Sequence, residues 1–281
     1  MSSRISSRFT SRCQLLAITA VAVLALHSGA QATETGSAPV ESGQSVAAEP
    51  TETSGFLERW NVVLGAVVMV GPEYEGGAGT TVMPLPYFSA KLGRVAIDPR
   101  GIRINTYEDG AFRFTTRIGY ELGRSESDSD DLRGLGDTGA GGTVGGIISY
   151  RPGPLRLHAG LDRTIGGSNG LVGVVGMGIG HAQGPFRFGA DVSATWADDN
   201  HMTTYFGVSG SQSIRSGLAT HNADAGFKRA DLKASVTYMM TDHWMVSTRL
   251  GLGYLLGDAA DSPITRERLQ PSVMMLFGYK F

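Results

Sequence analysis

The chain has 281 residues, 24 basic against 26 acidic side chains, 40 glycines and one cysteine. That balance excludes bulk nucleic-acid binding, which requires a basic face. The lone thiol, Cys13, excludes any disulfide within the chain, and no Cys-based zinc site or Cys nucleophile is expected beyond it.

The first 32 residues set the compartment. Arg4, Arg8 and Arg12 form a positive start, an apolar run follows from Leu15 to Leu26, and Ala30-Gln31-Ala32 supplies a small-x-small cleavage pattern. Those three parts make a secretory signal peptide. The run is shorter than the roughly 20 apolar residues of a spanning helix. Removing it takes away three arginines and no acid, leaving 21 basic against 26 acidic residues. Residues 33–54 carry Gly, Ser, Thr, Pro, Ala and Glu with almost nothing bulky, so a disordered periplasmic leader is expected there. The remainder, 55–281, reads as one β-domain.

Its signature is alternation. Phe112, Phe114, Thr116, Ile118, Tyr120 and Leu122 alternate with polar or small residues, as do Phe186 to Trp196, Ala230 to Met240 and Trp244 to Tyr254. A period of two gives each strand one apolar and one polar face. A soluble sandwich would alternate too. The segments, however, match tilted spanning strands of roughly 9–11 residues. Trp60, Phe112, Tyr120, Phe186, Trp196, Tyr238, Trp244 and Tyr254 sit at the ends of apolar faces, where the interfacial girdles of a membrane barrel belong. The polar face is charged and glycine-rich, which a dry core tolerates only if every charge is paired. The expectation is an all-β, transmembrane, antiparallel up-and-down barrel of the Gram-negative outer membrane, with outer-membrane lipid as its surroundings.

Twelve strands are expected, at 59–71, 81–91, 94–105, 111–123, 139–151, 154–165, 170–181, 185–197, 201–210, 227–240, 243–256 and 269–281. If the proline-bearing segment at 81–91 and its neighbour form a loop or plug instead, the count drops to ten. The last strand places Phe277, Tyr279 and the terminal Phe281 on one face, resembling the signal read by the barrel-insertion machinery. An even count puts leader and C-terminus together in the periplasm. Parity then makes the acidic connection 123–136 periplasmic, and its Glu126, Asp128, Asp130 and Asp131 become candidates for docking a partner; a solvated turn is the alternative.

No HExxH, CxxC, GxSxG or P-loop motif is present, and no catalytic, cofactor or metal site is expected. Asp198, Asp199, Asn200 and His201 read as a polar turn in preference to a ligand cluster. His158 is the one lumenal histidine, and Ser149 is expected to lie too far along its hairpin for a nucleophile–base pair. Alternate glycines, as in 138–146 and 173–180, are expected to relieve crowding inside a narrow barrel.

Alternation assigns Arg103, Arg113, Arg117, Arg156, Arg187, Arg229, Lys233 and Arg249 to the lumen, against Glu121, Asp162, Asp191 and Asp231. Hairpin register sets Arg103 across from Arg113 and Lys233 across from Arg249, which is unfavourable without compensation. Two readings follow, an ion-paired plug and a narrow channel or binding barrel favouring anions.

Three stretches resemble the MipA/OmpV family. One is Gly71-Pro72-Glu73-Tyr74-Glu75-Gly76 with Pro84-Leu85-Pro86-Tyr87-Phe88 and Arg100-Gly101. The second is Tyr205-Phe206-Gly207-Val208-Ser209 with Gln212 and Ser216-Gly217-Leu218. The third runs from Leu255 to Ile264 and leads into Gly278-Tyr279-Lys280-Phe281. The resemblance implies an outer-membrane barrel. For the family's namesake it implies a scaffold between a murein lytic transglycosylase and a bifunctional murein synthase. Other members are tied to osmotic response, adhesion or antibiotic sensitivity. It brings no catalytic residues.

Overall fold

Residues 60–281 are described by the computed structural model; the signal and leader expected over 1–32 and 33–54 lie outside the described residues. The alternating segments form β1 (Asn61–Pro72), β2 (Thr80–Leu92), β3 (Val95–Asp98), β4 (Gly101–Asp109), β5 (Phe112–Glu121), β6 (Gly141–Tyr150), β7 (Leu155–Gly166), β8 (Leu171–Gln183), β9 (Phe186–Ala197), β10 (Gly226–Met239), β11 (Trp244–Leu255) and β12 (Leu269–Lys280). Each pairs antiparallel with its sequence neighbours, and β1 closes the ring against β12. Phe281 takes part, its N–H donating to the Val62 carbonyl at 3.0 Å. The faces are as expected: Phe112, Ile118, Phe188, Leu232, Leu250 and Met275 point outward and are exposed, while Thr115, Glu121, Asp191 and Asp231 are buried inside.

Two expected strands differ, and their errors cancel in the count of twelve. Residues 94–105 are not one strand. Pro99 has no ladder donor and Gly101 adopts φ +125°, so the chain reverses and β3 and β4 form a hairpin within the wall. β3 pairs with β2 only through Ala90–Leu92, leaving 80–89 of β2 with a strand partner on the β1 side alone. The second difference is 201–210. Asp198 accepts the His201 N–H at 3.0 Å and caps a helix, α1 (Asp199–Phe206). Ser209 and Gln212 then form a reciprocal capping box that opens α2 (Gly210–Ser216). A third short helix, α3 (Gly257–Asp261), follows β11.

These changes move the loops. The tight turns 93–94, 110–111, 151–154, 184–185 and 240–243 lie at the end where β1 begins and the chain finishes, the terminal end. The long connections 73–79, 122–140, 198–225 and 256–268, with the short turn 167–170, lie at the other. The acidic connection is therefore on the side opposite the termini, which corrects the expectation that it shares a side with them. Aromatic rings band the terminal end: Phe112 lies 4.5 Å from Tyr150, Phe186 4.8 Å from Tyr238, and Trp244 4.9 Å from both Phe277 and Tyr279.

At the far end the connections pack into a cap. Met202 and Phe206, one turn apart on α1, bury with Leu255, Ala259 and Ala260, while Tyr74, Leu132, Leu135, Val208 and Ile264 form a second cluster. Cross-links tie every connection to another. The Tyr74 hydroxyl donates to the Ile264 carbonyl at 3.0 Å, Arg124 to the Tyr205 carbonyl at 2.8 Å, Gln212 to the Leu135 carbonyl at 2.7 Å, and Asn200 to the Asn169 carbonyl at 3.2 Å. Burial pushes the Tyr74 phenol up to about 12, so it remains a donor.

Candidate functional site: the lumenal charge network and its cap

The network begins at a bulge. In β10 the register against β9 slips between Phe227 and Arg229, so Lys228 and Arg229 both turn inward. Their side chains are 0% and 2% exposed. Glu75, from the connection after β1, receives both: Lys228 Nζ at 2.7 Å and Arg229 Nη1 at 3.0 Å. Burial alone would raise the Glu75 carboxyl, but the two cations outweigh it and hold it at about 2. Lys228 also reaches His201 Nε2 at 3.0 Å. An ammonium only donates, so that nitrogen carries the lone pair and His201 is the neutral Nδ1–H tautomer. Burial, with Lys228 beside it, depresses the His201 pKa accordingly. Its Nδ1 lies 3.5 Å from Glu121, which also accepts from Thr164, Ser168 and Tyr205.

Further along the lumen, Arg229 Nε donates to Asp231 at 3.0 Å and Lys233 lies 3.9 Å from the same carboxylate. Asp191 accepts from Arg156 at 3.0 Å and lies 3.8 Å from His158 Nδ1. Glycines make room for these side chains. A Cβ on Gly176 would sit 2.7 Å from the His158 ring, one on Gly178 2.8 Å from Asp191, and one on Gly160 2.9 Å from Arg117. Ser149 is directly opposite His158 in the β6–β7 ladder, which corrects the expected offset. The His158 ring nonetheless leans over Gly176 of β8, on the other side of β7 from Ser149.

The wall from β2 to β7 is richer in arginine. The β4–β5 turn at 110–111 sets Glu108 opposite Arg113, and a bulge in β4 between Asn105 and Tyr107 then sets Arg103 opposite Arg117, correcting the expected pairing of Arg103 with Arg113. Each cation has an acid: Arg103 meets Asp98 at 2.6 Å, Arg117 meets Asp162 at 2.8 Å, and Arg113 meets Glu108. Lys233 likewise faces Gly251 and Asp191, not Arg249, which is opposite Ser235. A cavity of about 160 Å³ runs along this wall from Arg94 and Arg151 inward to Thr143.

Of the residues assigned to the lumen by alternation, Arg156, His158, Asp191, Arg229, Asp231 and Lys233 converge on the β9–β10 side, and Glu121 joins them through His201. Arg103, Arg113, Arg117 and Asp162 line the cavity, while Arg187 is exposed on β9 and belongs to neither group. Sequence reasoning missed Lys228, because strict alternation turns it outward, and Glu75, because it lies between strands. The acidic candidates are internally committed. Glu126 accepts from the N–H groups of Gly134 and Gly136, Asp128 from Ser125 N, Asp131 pairs with Arg266, and Asp130 with Arg133. Among the described residues no group of three or more His, Cys, Asp or Glu is placed to hold a metal ion.

The family model for MltA-interacting protein MipA matches residues 64–281. The chain belongs to the MipA family. Solved structures similar to this MipA-family barrel include an outer-membrane channel of Pseudomonas putida F1, 12% identical, covering 84% of this chain and 100% of its own, with a TM-score of 0.37. Others are the channel DcaP of Acinetobacter baumannii, at 11% identity, 79% and 96% coverage and TM-score 0.34, and OprD of Pseudomonas aeruginosa, at 7%, 82% and 96%, and 0.32. No curated protein matches the chain.

Proposed function

We propose that this MipA-family protein is a non-enzymatic interaction barrel of the outer membrane, with leader and C-terminus in the periplasm, where it holds a murein-remodelling enzyme at the membrane. The observation that carries the reading is the cap. Five connections lock over one end, and beneath them Glu75 joins the buried Lys228 and Arg229 in a mutually satisfied cluster. Opening a path there would separate buried charges, which is strongly unfavourable. A barrel sealed in this way suits holding better than conduction, and the family description, MltA-interacting protein, names a protein partner for its namesake. The partner-facing surface is then the terminal end with its turns and leader, in place of the acidic connection at the capped end. A nucleophile–base role for Ser149 and His158 draws no support from a histidine ring turned toward β8. The test pairs two measurements on the full-length barrel. Planar-bilayer recordings are expected to show no discrete conductance, and immobilised barrel is expected to retain a periplasmic murein lytic transglycosylase. Regular conductance steps, or no retention of that enzyme, would overturn the reading.

A further inference from the structure

We propose that the arginine-lined cavity at the terminal end is a binding site for a small oligoanion carrying at least two phosphate-type or carboxylate groups. The cavity is lined by seven arginines and one lysine against only Asp98 and Asp162. Those two acids take Arg100, Arg103 and Arg117, while Glu108 and Asp191, from outside the lining, take Arg113 and Arg156. Among the described residues that leaves Lys91, Arg94 and Arg151 at the cavity without an ion pair of their own; the acid that acts on Arg94 and Arg151 is Glu108, which is already bonded to Arg113.

Their placement is shared. Arg94 is in the turn between β2 and β3, and Arg151 in the turn between β6 and β7, whose N–H bonds the Ala111 carbonyl of the β4–β5 turn at 2.9 Å. Lys91, exposed near the end of β2 and three residues before Arg94, also lines the cavity. Three cations thus share one rim of the mouth. Burial, then the nearby Arg113 and Arg156 charges, depress the Arg151 pKa, and Glu108 offsets them only in part; the guanidinium stays charged but crowded. The facing wall does not relieve it, because Asp191 and Asp231 are committed to Arg156, Arg229 and Lys233.

An anion entering the cavity would exchange this like-charge repulsion for charge-assisted hydrogen bonds, and guanidinium forks suit phosphate and carboxylate oxygens. Three cations without an ion pair of their own suit more than one negative charge, and a volume of about 160 Å³ suits a small ligand. The cap closes the other end, so the ligand enters and leaves by the same mouth and is bound, not transported. The site stands independently of the scaffold reading, since it is built from the barrel wall alone.

The probe is inorganic triphosphate, titrated by calorimetry into the full-length barrel in zwitterionic nanodiscs at low salt. Saturable binding at one site per chain is expected, weakening as salt rises. The double variant Arg94→Gln/Arg151→Gln should bind about tenfold or more weakly. Both sites are in surface turns, and retained heat-modifiable migration checks that the barrel still forms. Arg187→Gln, at the same end but outside the cavity, should bind as the parent does. Repeating the titration in phosphatidylglycerol nanodiscs separates the sources. Competition that depends on Arg94 and Arg151 assigns the site to a lipid headgroup, and unchanged affinity assigns it to a water-borne anion. Absence of saturable binding, or equal binding by the double variant, would overturn the proposal. Partner retention by that variant should be unaffected, so failure here is distinguishable from failure of the scaffold reading.

Discussion

Replacing Glu75 by Gln removes one charge from the centre of the cap while keeping its shape. Lys228 then loses the carboxylate 2.7 Å away and keeps the His201 nitrogen; Arg229 keeps Asp231. Removing one partner of a buried ion pair costs about 3–5 kcal/mol, because the remaining charge stays out of water. The titration of Glu75 gives an independent figure. Its carboxyl falls from 4.5 to about 2 on folding, and at about 1.4 kcal/mol per unit that is about 3 kcal/mol. The same reasoning fixes the pH window. The folded value is depressed, so this stabilisation is complete above about pH 4.5 and is lost as pH falls through about 2. The assay is urea unfolding in lipid vesicles followed by tryptophan fluorescence, beside limited proteolysis of the 198–225 connection. Glu75→Gln should lower the unfolding free energy by about 3 kcal/mol and expose that connection to protease. Adding Lys228→Met should restore much of the loss, since no unpaired charge then remains. A variant within about 0.5 kcal/mol of the parent would refute the reasoning, as such a change is typical of an unimportant surface site.

His201 adds a second pH dependence. Its folded pKa is depressed, so its contribution is complete above about 6.5 and declines as pH falls below that value; protease sensitivity of the cap should rise in that range in the parent and flatten in His201→Gln. Outward charge should be poorly tolerated: Arg at Ala190 or Leu250, which flank Ala234 on the outer face, should cost about 2–4 kcal/mol near the bilayer midplane, measured by unfolding in lipid. Gly176→Ala should cost about 1–3 kcal/mol, because the added methyl meets the His158 ring and the Val192 carbonyl, and an unchanged midpoint would show that the ring can move aside. Deleting Phe281 removes its hydrogen bond to Val62 and its edge contact with Tyr279, 4.8 Å away; slower barrel assembly, read by heat-modifiable migration, is the expected outcome.

The barrel was legible wherever strict alternation held. β5, β9, β10 and β11 follow the apolar and polar faces read from Phe112, Phe186, Ala230 and Trp244. Legibility failed where the backbone departs from a period of two. The bulge at Phe227/Arg229 buries two consecutive cations, and β4 runs on to Asp109 and turns only at 110–111, so Arg103 meets Arg117, with the bulge at Asn105/Tyr107 shifting the pairing by one residue, and not Arg113. Helix α1 was hidden by Thr203, Thr204, Tyr205 and Phe206, residues that favour strands; the cap at Asp198 and the Ser209–Gln212 box were the local signals against it. Glu75 was illegible for another reason. It lies in the Gly71–Gly76 stretch that carries the family resemblance, and only the folded ring brings it 153 residues across to Lys228.

The short β3 has a mechanical consequence for how the barrel sits in lipid. Over 80–89, β2 has a strand on one side only, and hydrocarbon cannot satisfy the backbone groups on the other. Pro84 and Pro86 remove two donors from this stretch but leave its carbonyls. Acyl chains must therefore stop lower on this flank than on the opposite one, where β8 to β11 remain paired along their length. The hydrophobic belt is thus uneven around the circumference. The bilayer meets such a mismatch by thinning beside β2 or by letting the barrel axis lean toward this flank.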